Sequence, residues 1–166
     1  VGQKIKRAGL NVRILAYDHN WGEQAGVPVS GPAYPTAMLN DPAVSQWLGG
    51  VAWHCYGGSE TAQTPVHELD PSKEVHMTEC SGGGWSGPWG SNFVSNMRRL
   101  FVGGANNWGQ STLLWNMALD EHAGPRCQGG ACCTDCRGVL TVPSNATSMA
   151  EITKNVEFYS LAHFSY

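Results

Sequence analysis

Charge is scarce in this chain. Only 14% of its 166 residues are Asp, Glu, Lys or Arg, and 10 basic against 13 acidic side chains leave a formal net charge of -3. That excludes the basic stripe by which proteins hold nucleic acid and the polycationic face that grips an anionic membrane. Long hydrophobic runs are missing as well. No stretch approaches the ~18 consecutive apolar residues of a membrane span, so stable membrane insertion is not expected. No basic-then-apolar leader opens the sequence, but the first residue is Val1 and not an initiator Met, and the expectation is a chain that starts within a longer protein. Cys133-Thr134-Asp135-Cys136 has the look of half a zinc site, yet a second well-spaced Cys or His pair is not evident, so metal binding is the weaker reading of these cysteines.

What the chain does have is the material of one folded unit. Its length and 42% hydrophobic content suffice for a single sizeable core. Seven Trp and 21 Gly are abundant for this length, and several Trp stand beside polar residues instead of within apolar runs. Flat indoles suit the apolar faces of sugar rings, although any single Trp is more commonly core filler. A neutral ligand fits a surface so poor in charge. Six cysteines, four of them between Cys127 and Cys136, point to an oxidising compartment and to disulfides. The loop Cys127 to Cys136 is expected to carry one or two, with Cys133 to Cys136 one candidate, and spacing alone leaves the pairing open. The sequon Asn145-Ala146-Thr147 agrees with a secreted, lysosomal or extracellular location.

Periodicity gives a repeating plan. Asn11 to Tyr17 is β-branched and apolar and predicts a buried strand, giving way to a polar loop at Asp18-His19-Asn20-Trp21. After a Pro/Gly-rich loop from Gly26 to Pro35, Asp41-Pro42 opens a helix through Leu48. Gly50 to Tyr56 reads as a second strand stopped by Gly57-Gly58, Thr64 to Leu69 as a short helix, and Glu74 to Thr78 as a third strand ending at Glu79. Phe93 to Phe101 has helical spacing, closed by Gly103-Gly104. Ser111 to Asn116 is a fourth strand, Gly138 to Val142 is extended, and Val156 to His163 is a last helix. Strand, loop and helix, repeated four times, describe half of a (β/α) barrel or an open doubly wound sheet. Polar and aromatic residues after each strand favour a barrel with one shared mouth.

Four strand ends then fall together: Asp18-His19-Asn20-Trp21, His54-Cys55-Tyr56, Glu79, and Trp115-Asn116. Carboxyl ends of parallel strands line the active-site mouth in such folds, so Glu79 is placed for chemistry. Tyr56 could hydrogen-bond that carboxylate and hold it ionised, while Asp18 and His54 could grip sugar hydroxyls. Taken singly, each is at least as well explained by a structural hydrogen bond, and Trp115 and Asn116 divide between sugar contact and packing.

Six segments together carry a resemblance: Tyr17-Asp18-His19-Asn20-Trp21, Val51 to Gly58, Thr78-Glu79-Cys80, Leu114 to Asp120, Gly124-Pro125 and Phe158 to Ser165. In this order they resemble the carboxyl-terminal half of the catalytic domain of glycoside hydrolase family 30, which includes glucosylceramidases and microbial β-1,6-glucanases. The resemblance implies a TIM (β/α)8 barrel, of which residues 1–166 supply about the last four strand-helix units with no second domain. It implies Glu79 as the nucleophile of a retaining β-glycosidase, and a β-linked glucan or glucosyl-lipid as substrate. No metal or organic cofactor is expected, and the oligomeric state is not readable. The family's acid/base Glu sits in an Asn-Glu-Pro motif, which occurs nowhere in this sequence. The chain is therefore expected to be a fragment, inactive alone. Asp120 and Glu121 lie beyond the strand and read as structural or rim residues. Trp85, Trp89 and Trp108, in glycine-containing loops, lean toward a polysaccharide. A non-catalytic carbohydrate-binding module is the alternative.

Overall fold

The computed structural model describes residues 1–126 and 133–165. Its centre is a sheet in which β1 (Ile14–Asn20), β2 (Leu48–His54), β3 (Glu74–Glu79) and, after the short β4 (Gly82–Gly83), β5 (Ser111–Thr112) run parallel in the order β1-β2-β3-β5. Sequential order, parallel pairing and helical crossovers are the build of consecutive units in a β/α barrel.

The helices are α1 (Gly2–Arg7), α2 (Ala33–Leu39), α3 (Pro42–Ser45), α4 (Gln63–His67), α5 (Trp89–Asn96), α6 (Gly103–Asn106) and α7 (Val156–Phe164). Leu39 of α2, Val66 of α4, and Leu100 and Phe101 of the turn that follows α5 pack on the sheet, where they form the core with Val51, Trp53, Val75, Met77 and Trp21. Each fully buried Val or Phe side chain adds about 1.5–3 kcal/mol. The period-2 rule of strands puts Glu74, His76 and Thr78 on the opposite face of β3 from the buried Val75 and Met77.

Element edges depart from the sequence reading in instructive ways. The first strand begins at Ile14 and continues through Asp18-His19-Asn20, because Tyr17, His19 and Asn20 pair with Ala52, Trp53 and His54. The helix opened by Asp41 ends at Ser45, since Leu48 already starts β2; Asp41 caps it by accepting from the Ala43 amide at 2.9 Å. Within the stretch read as a loop, α2 forms with Pro35 in its first turn, where a missing amide costs no helical bond. Gly103-Gly104 do not stop the long helix: α5 passes through a π-helical turn, Met97–Val102, into α6. A side chain at Gly103 would collide with the Arg98 carbonyl and with Glu60, so glycine there serves close packing. The fourth strand is shorter than read, although the Leu113 amide to the Met77 carbonyl (2.8 Å) and the Trp115 amide to the Cys80 carbonyl (3.0 Å) continue its attachment to β3.

The rest of the chain is held by small pairings. β4 pairs antiparallel with β7 (Cys136–Arg137). β6 (Ala118–Leu119) pairs parallel with β8 (Leu140–Thr141), which pairs antiparallel with β9 (Thr153–Lys154). Arg137 donates twice to the buried Glu157 of α7, at 3.1 and 2.8 Å, fixing that helix beside β4 and β7. No helix among the described residues is long and apolar enough to cross a membrane.

Candidate active site

Two register shifts build the site. Between β1 and β2 the pairing skips Asp18, and between β2 and β3 it skips Thr78. Both extra residues lie at the carboxyl end, flanking β2 from either side, and a bulge of this kind re-aims the side chain it carries. Tyr17 and Asp18 adopt φ of 78° and 57°, a left-handed conformation uncommon for residues other than glycine. The two bulged residues meet across β2: the Thr78 hydroxyl donates to Asp18 Oδ1 at 2.7 Å. His54 Nε2 lies 3.1 Å from that oxygen and donates to it when protonated at this nitrogen. The Thr78 hydroxyl holds the Asp18 carboxyl below its usual range, with burial opposing and His54 assisting.

The skip at Thr78 also turns Glu79 alongside it. Tyr56, two residues beyond β2, donates its phenol hydroxyl to Glu79 Oε1 at 3.0 Å. Burial first, and the Glu79 charge second, push the Tyr56 phenol well above its ordinary value, so it stays a hydrogen donor throughout the physiological range. The pair is braced from behind. The Tyr56 amide donates to Asn20 Oδ1 at 3.1 Å, and the neighbours Cys55 and Cys80 form a disulfide with a Cα–Cα separation of 5.3 Å. One covalent bridge thus ties the end of β2 to the end of β3 directly beside both partners.

Among the sequence candidates, Asp18, His54, Tyr56 and Glu79 come together in this way. Trp115 is anchored beside them through its amide on Cys80 and is partly exposed. Asn116 makes no hydrogen bond to the cluster among the described residues. Its side-chain oxygen accepts from the Ala118 amide at 3.3 Å, and its carbonyl accepts from Val139 at 2.8 Å. Asp120 Oδ1 closes its own loop through the His122 and Gly124 amides (2.8 and 2.7 Å), and Glu121 binds the Ser144 amide and hydroxyl (2.8 and 2.7 Å). Those bonds lower the Glu121 carboxyl to about 2.

Thr78, Asn20 and the Cys55–Cys80 bridge were not singled out by the sequence. Strand alternation would send Thr78 to the face opposite Glu79, and only the register shift brings both to one side. The bridge did leave a trace, since each cysteine directly follows or precedes a polar strand-end residue. Cys133 and Cys136 also form a disulfide, which removes the thiolates a zinc site would use. The remaining cysteines of that loop, Cys127 and Cys132, lie outside the described residues. No cluster of three His, Cys, Asp or Glu suited to a metal occurs among the described residues.

The three tryptophans separate. Trp108 stacks on His67, ring centroids 4.5 Å apart, in the loop leading into β5, so it sits at the end of the sheet away from Glu79. Trp89 stacks on Phe93 at 5.3 Å and meets Tyr159 edge-on, packing α5 against α7. Trp85 follows β4 on the Glu79 side and is exposed.

Comparison with known proteins agrees with this geometry. Residues 2–166 match the glycosyl hydrolase family 30 TIM-barrel domain. The chain is 31% identical to an endo-1,6-beta-D-glucanase of Neurospora crassa over 99% of its length and 31% of that protein. It is 30% identical to putative glucosylceramidase 2 of Caenorhabditis elegans over 98% of its length and 30% of that protein. The solved structure of the endo-beta1,6-glucanase BT3312 superposes with a TM-score of 0.86 at 34% identity, covering 99% of this chain and 36% of that one. SrfJ from Salmonella typhimurium, at 18% identity and a TM-score of 0.78, shares the fold over 98% of this chain and 34% of its own. The chain spans about a third of the length of the curated relatives it matches. It belongs to glycosyl hydrolase family 30 and carries part of that family's TIM-barrel domain.

Proposed function

We propose that residues 1–166 are the carboxyl-terminal half of the catalytic barrel of a secreted, retaining β-glycosidase, with Glu79 as its nucleophile. The observation that carries this reading is the 3.0 Å hydrogen bond from the Tyr56 hydroxyl to Glu79 at the carboxyl end of a parallel sheet. Donation by a phenol that remains protonated fixes one carboxylate oxygen and leaves the other to attack. In the first step Glu79 bonds to the anomeric carbon as the glycosidic oxygen departs, taking a proton from a second carboxylic acid roughly 5 Å away. In the second step that residue, now a base, deprotonates water, which cleaves the glycosyl ester and regenerates Glu79.

No carboxylate of this chain hydrogen-bonds to the Glu79–Tyr56 pair among the described residues, and Asp18 is committed to Thr78 and His54. The acid/base is therefore assigned to the portion of barrel outside this sequence, and the fragment alone is inactive. Asp18 and His54, an acceptor and a donor held side by side, are suited to a sugar hydroxyl, with Trp115 as a ring platform. A β-1,6-linked glucan is the favoured substrate, because relatives named for that activity match nearly all of this chain. Glucosylceramide is the second choice on the same grounds. Secretion is supported by the two disulfides among the described residues.

Trapping tests the assignment. A 2-fluoro β-glucoside with an activated leaving group, incubated with the longer chain, should leave one sugar on the peptide containing Glu79, read by mass spectrometry. Labelling elsewhere, with Glu79 unmodified in an inactivated enzyme, would falsify the nucleophile. Measurable glycoside turnover by residues 1–166 alone would remove the claim that the acid lies outside them.

A further inference from the structure

Beside the Tyr56–Glu79 pair, between the Cys55–Cys80 bridge and α5, lies a cleft of about 290 Å³ that borders the site at Tyr56 and does not include the reacting carboxylate. Tyr56 is part of its lining, and none of Asp18, His54, Glu79, Trp115 or Asn116 is. Its floor is the disulfide and Asn92, its sides are Ser86, Ser95 and Arg99, and Trp85 stands at its rim. A second depression, of about 420 Å³, adjoins it on the far side of α5 and shares Ser95 and Arg99.

Three features say what would fill it. The Asn92 side chain is only 7% exposed, yet its amide nitrogen has no hydrogen-bond partner among the described residues. A buried, unsatisfied amide is unfavourable, and a hydroxyl from a bound molecule would supply the missing acceptor. Arg99 does not make the cleft a receptor for anions. Its guanidinium donates to the Cys55 and Gly58 carbonyls, both at 3.3 Å, sits over the Trp21 ring at 5.4 Å and faces Glu60 at 4.0 Å. With that cation engaged, the lining offers hydroxyls and amides to an uncharged, hydrogen-bonding ligand. Trp85 supplies the flat apolar surface, and it is held in place: a methyl group at Gly83 would overlap its ring. A half-exposed indole beside a buried amide and the more accessible hydroxyls of Ser86 and Ser95 matches a pyranose, whose face is apolar and whose rim is hydroxylated. Two adjoining depressions suit a chain of sugars better than a single one.

We propose that this cleft is a second saccharide site, which holds a β-linked glucan strand away from the scissile bond. The choice of glucan rests on the glycosidase reading above; the hydroxyl-recognising character of the cleft does not. Tethering a polymer at a second point raises its effective concentration at Glu79 without changing the chemical step. Turnover of a small soluble glucoside should therefore be indifferent to the cleft, and attack on insoluble polymer should depend on it.

The test uses the longer chain bearing Glu79→Gln, titrated calorimetrically with a β-1,6-linked glucose tetramer. Two equivalents should bind, and adding Trp85→Ala should leave one. Ser95→Trp, at the exposed helix position where the two depressions meet, should do the same by filling the cleft. In the otherwise unaltered enzyme, Trp85→Ala should change kcat/KM for an activated monoglucoside by less than about twofold and lower sugar release from insoluble β-1,6-glucan about tenfold. A single equivalent bound by the Glu79→Gln protein, or two equivalents retained after either cleft substitution, overturns the proposal. Failure of the glycosidase reading would look different: the longer chain with Glu79 intact would show no glycoside turnover, whatever the stoichiometry.

Discussion

At the amino-terminal end of the sheet, Arg13, Glu74, His76 and Ser111 form a polar ladder: Arg13 pairs with Glu74, Glu74 lies 3.3 Å from His76, and His76 Nδ1 lies 2.8 Å from the Ser111 hydroxyl. At the carboxyl end, Asp18, His54, Thr78, Tyr56 and Glu79 use the same kinds of side chain. At the first end the pairing across β2 and β3 is regular from Gly50 to Trp53, each acid faces a base, and burial together with Arg13 lowers the His76 imidazole. At the second, two register shifts crowd extra side chains onto one face, and Glu79 meets a phenol instead of a cation. Between β2 and β3 the difference lies in the backbone, while β1 and β2 shift register at the amino-terminal end too, between Ile14 and Leu15. Regular pleating distributes polar groups into mutually neutralising rows, whereas a skipped residue concentrates them and leaves a carboxylate free to react.

Replacing one acid at each end is the sharpest way to break this comparison. In the longer chain, Glu79→Gln should lower kcat roughly 10⁴-fold or more, since on the proposed mechanism it removes the nucleophile. Glu74→Gln should leave kcat within about threefold, because a partly exposed ion pair contributes only about 1 kcal/mol or less. Equal losses from both would show that the two ends are not functionally distinct.

The two disulfides among the described residues give the next contrast. Loss of the Cys55–Cys80 bridge, which spans 25 residues and clamps the catalytic end, should cost about 3 kcal/mol in denaturant unfolding. Loss of Cys133–Cys136, which spans only 3, should cost about 2 kcal/mol. The first pair of Ser substitutions should also reduce kcat, and the second should not. Tyr56→Phe removes one hydrogen bond to a charged group, about 1.5–3 kcal/mol, so kcat should fall roughly 10- to 100-fold with KM little changed. A Tyr56→Phe enzyme as fast as the parent would detach the phenol from the chemistry.

The smallest effect concerns Asp18, whose folded-state carboxyl lies below its ordinary value. A lowered acid stabilises the fold above its unfolded value, about 3.9, and loses that contribution as pH falls through the folded value. Asp18→Asn should thus lower the melting temperature slightly at neutral pH, and the two curves should converge below about pH 4. A gap that persists in acid would place the stabilisation in packing.

Much of the fold was legible because its signals are local. Alternation in Glu74 to Thr78, the apolar run before His54 and the helical spacing after Phe93 each report burial, which is a property of neighbouring residues. Edges were less legible where a local signal lost to packing. Gly103-Gly104 carries the stop signature of a helix, but the approach of Glu60 and the continuing turn overrode it. Asp18-His19-Asn20 reads as a polar loop, but three pairings with β2 make it strand. Of the site, Glu79, Tyr56, His54 and Asp18 could be found as strand-end residues, while Thr78 could not, since its orientation depends on a register that no single segment encodes. Asn116, also a strand-end residue, accepts the Ala118 amide with its side-chain oxygen, a contact that its place in the sequence did not announce.

The sequence by itself determined the alternation of strand and helix, the polar termini of the strands and the cysteine content of an oxidising environment, because these follow from side-chain chemistry and spacing. Only the tertiary structure decided that residues 18 and 78 bulge on either side of β2, that Cys55 pairs with Cys80, and that Tyr56 reaches Glu79 from a different strand. Such facts depend on register and on contacts between residues 23 to 60 positions apart, and these are fixed when separate segments pack, after local preference has had its say.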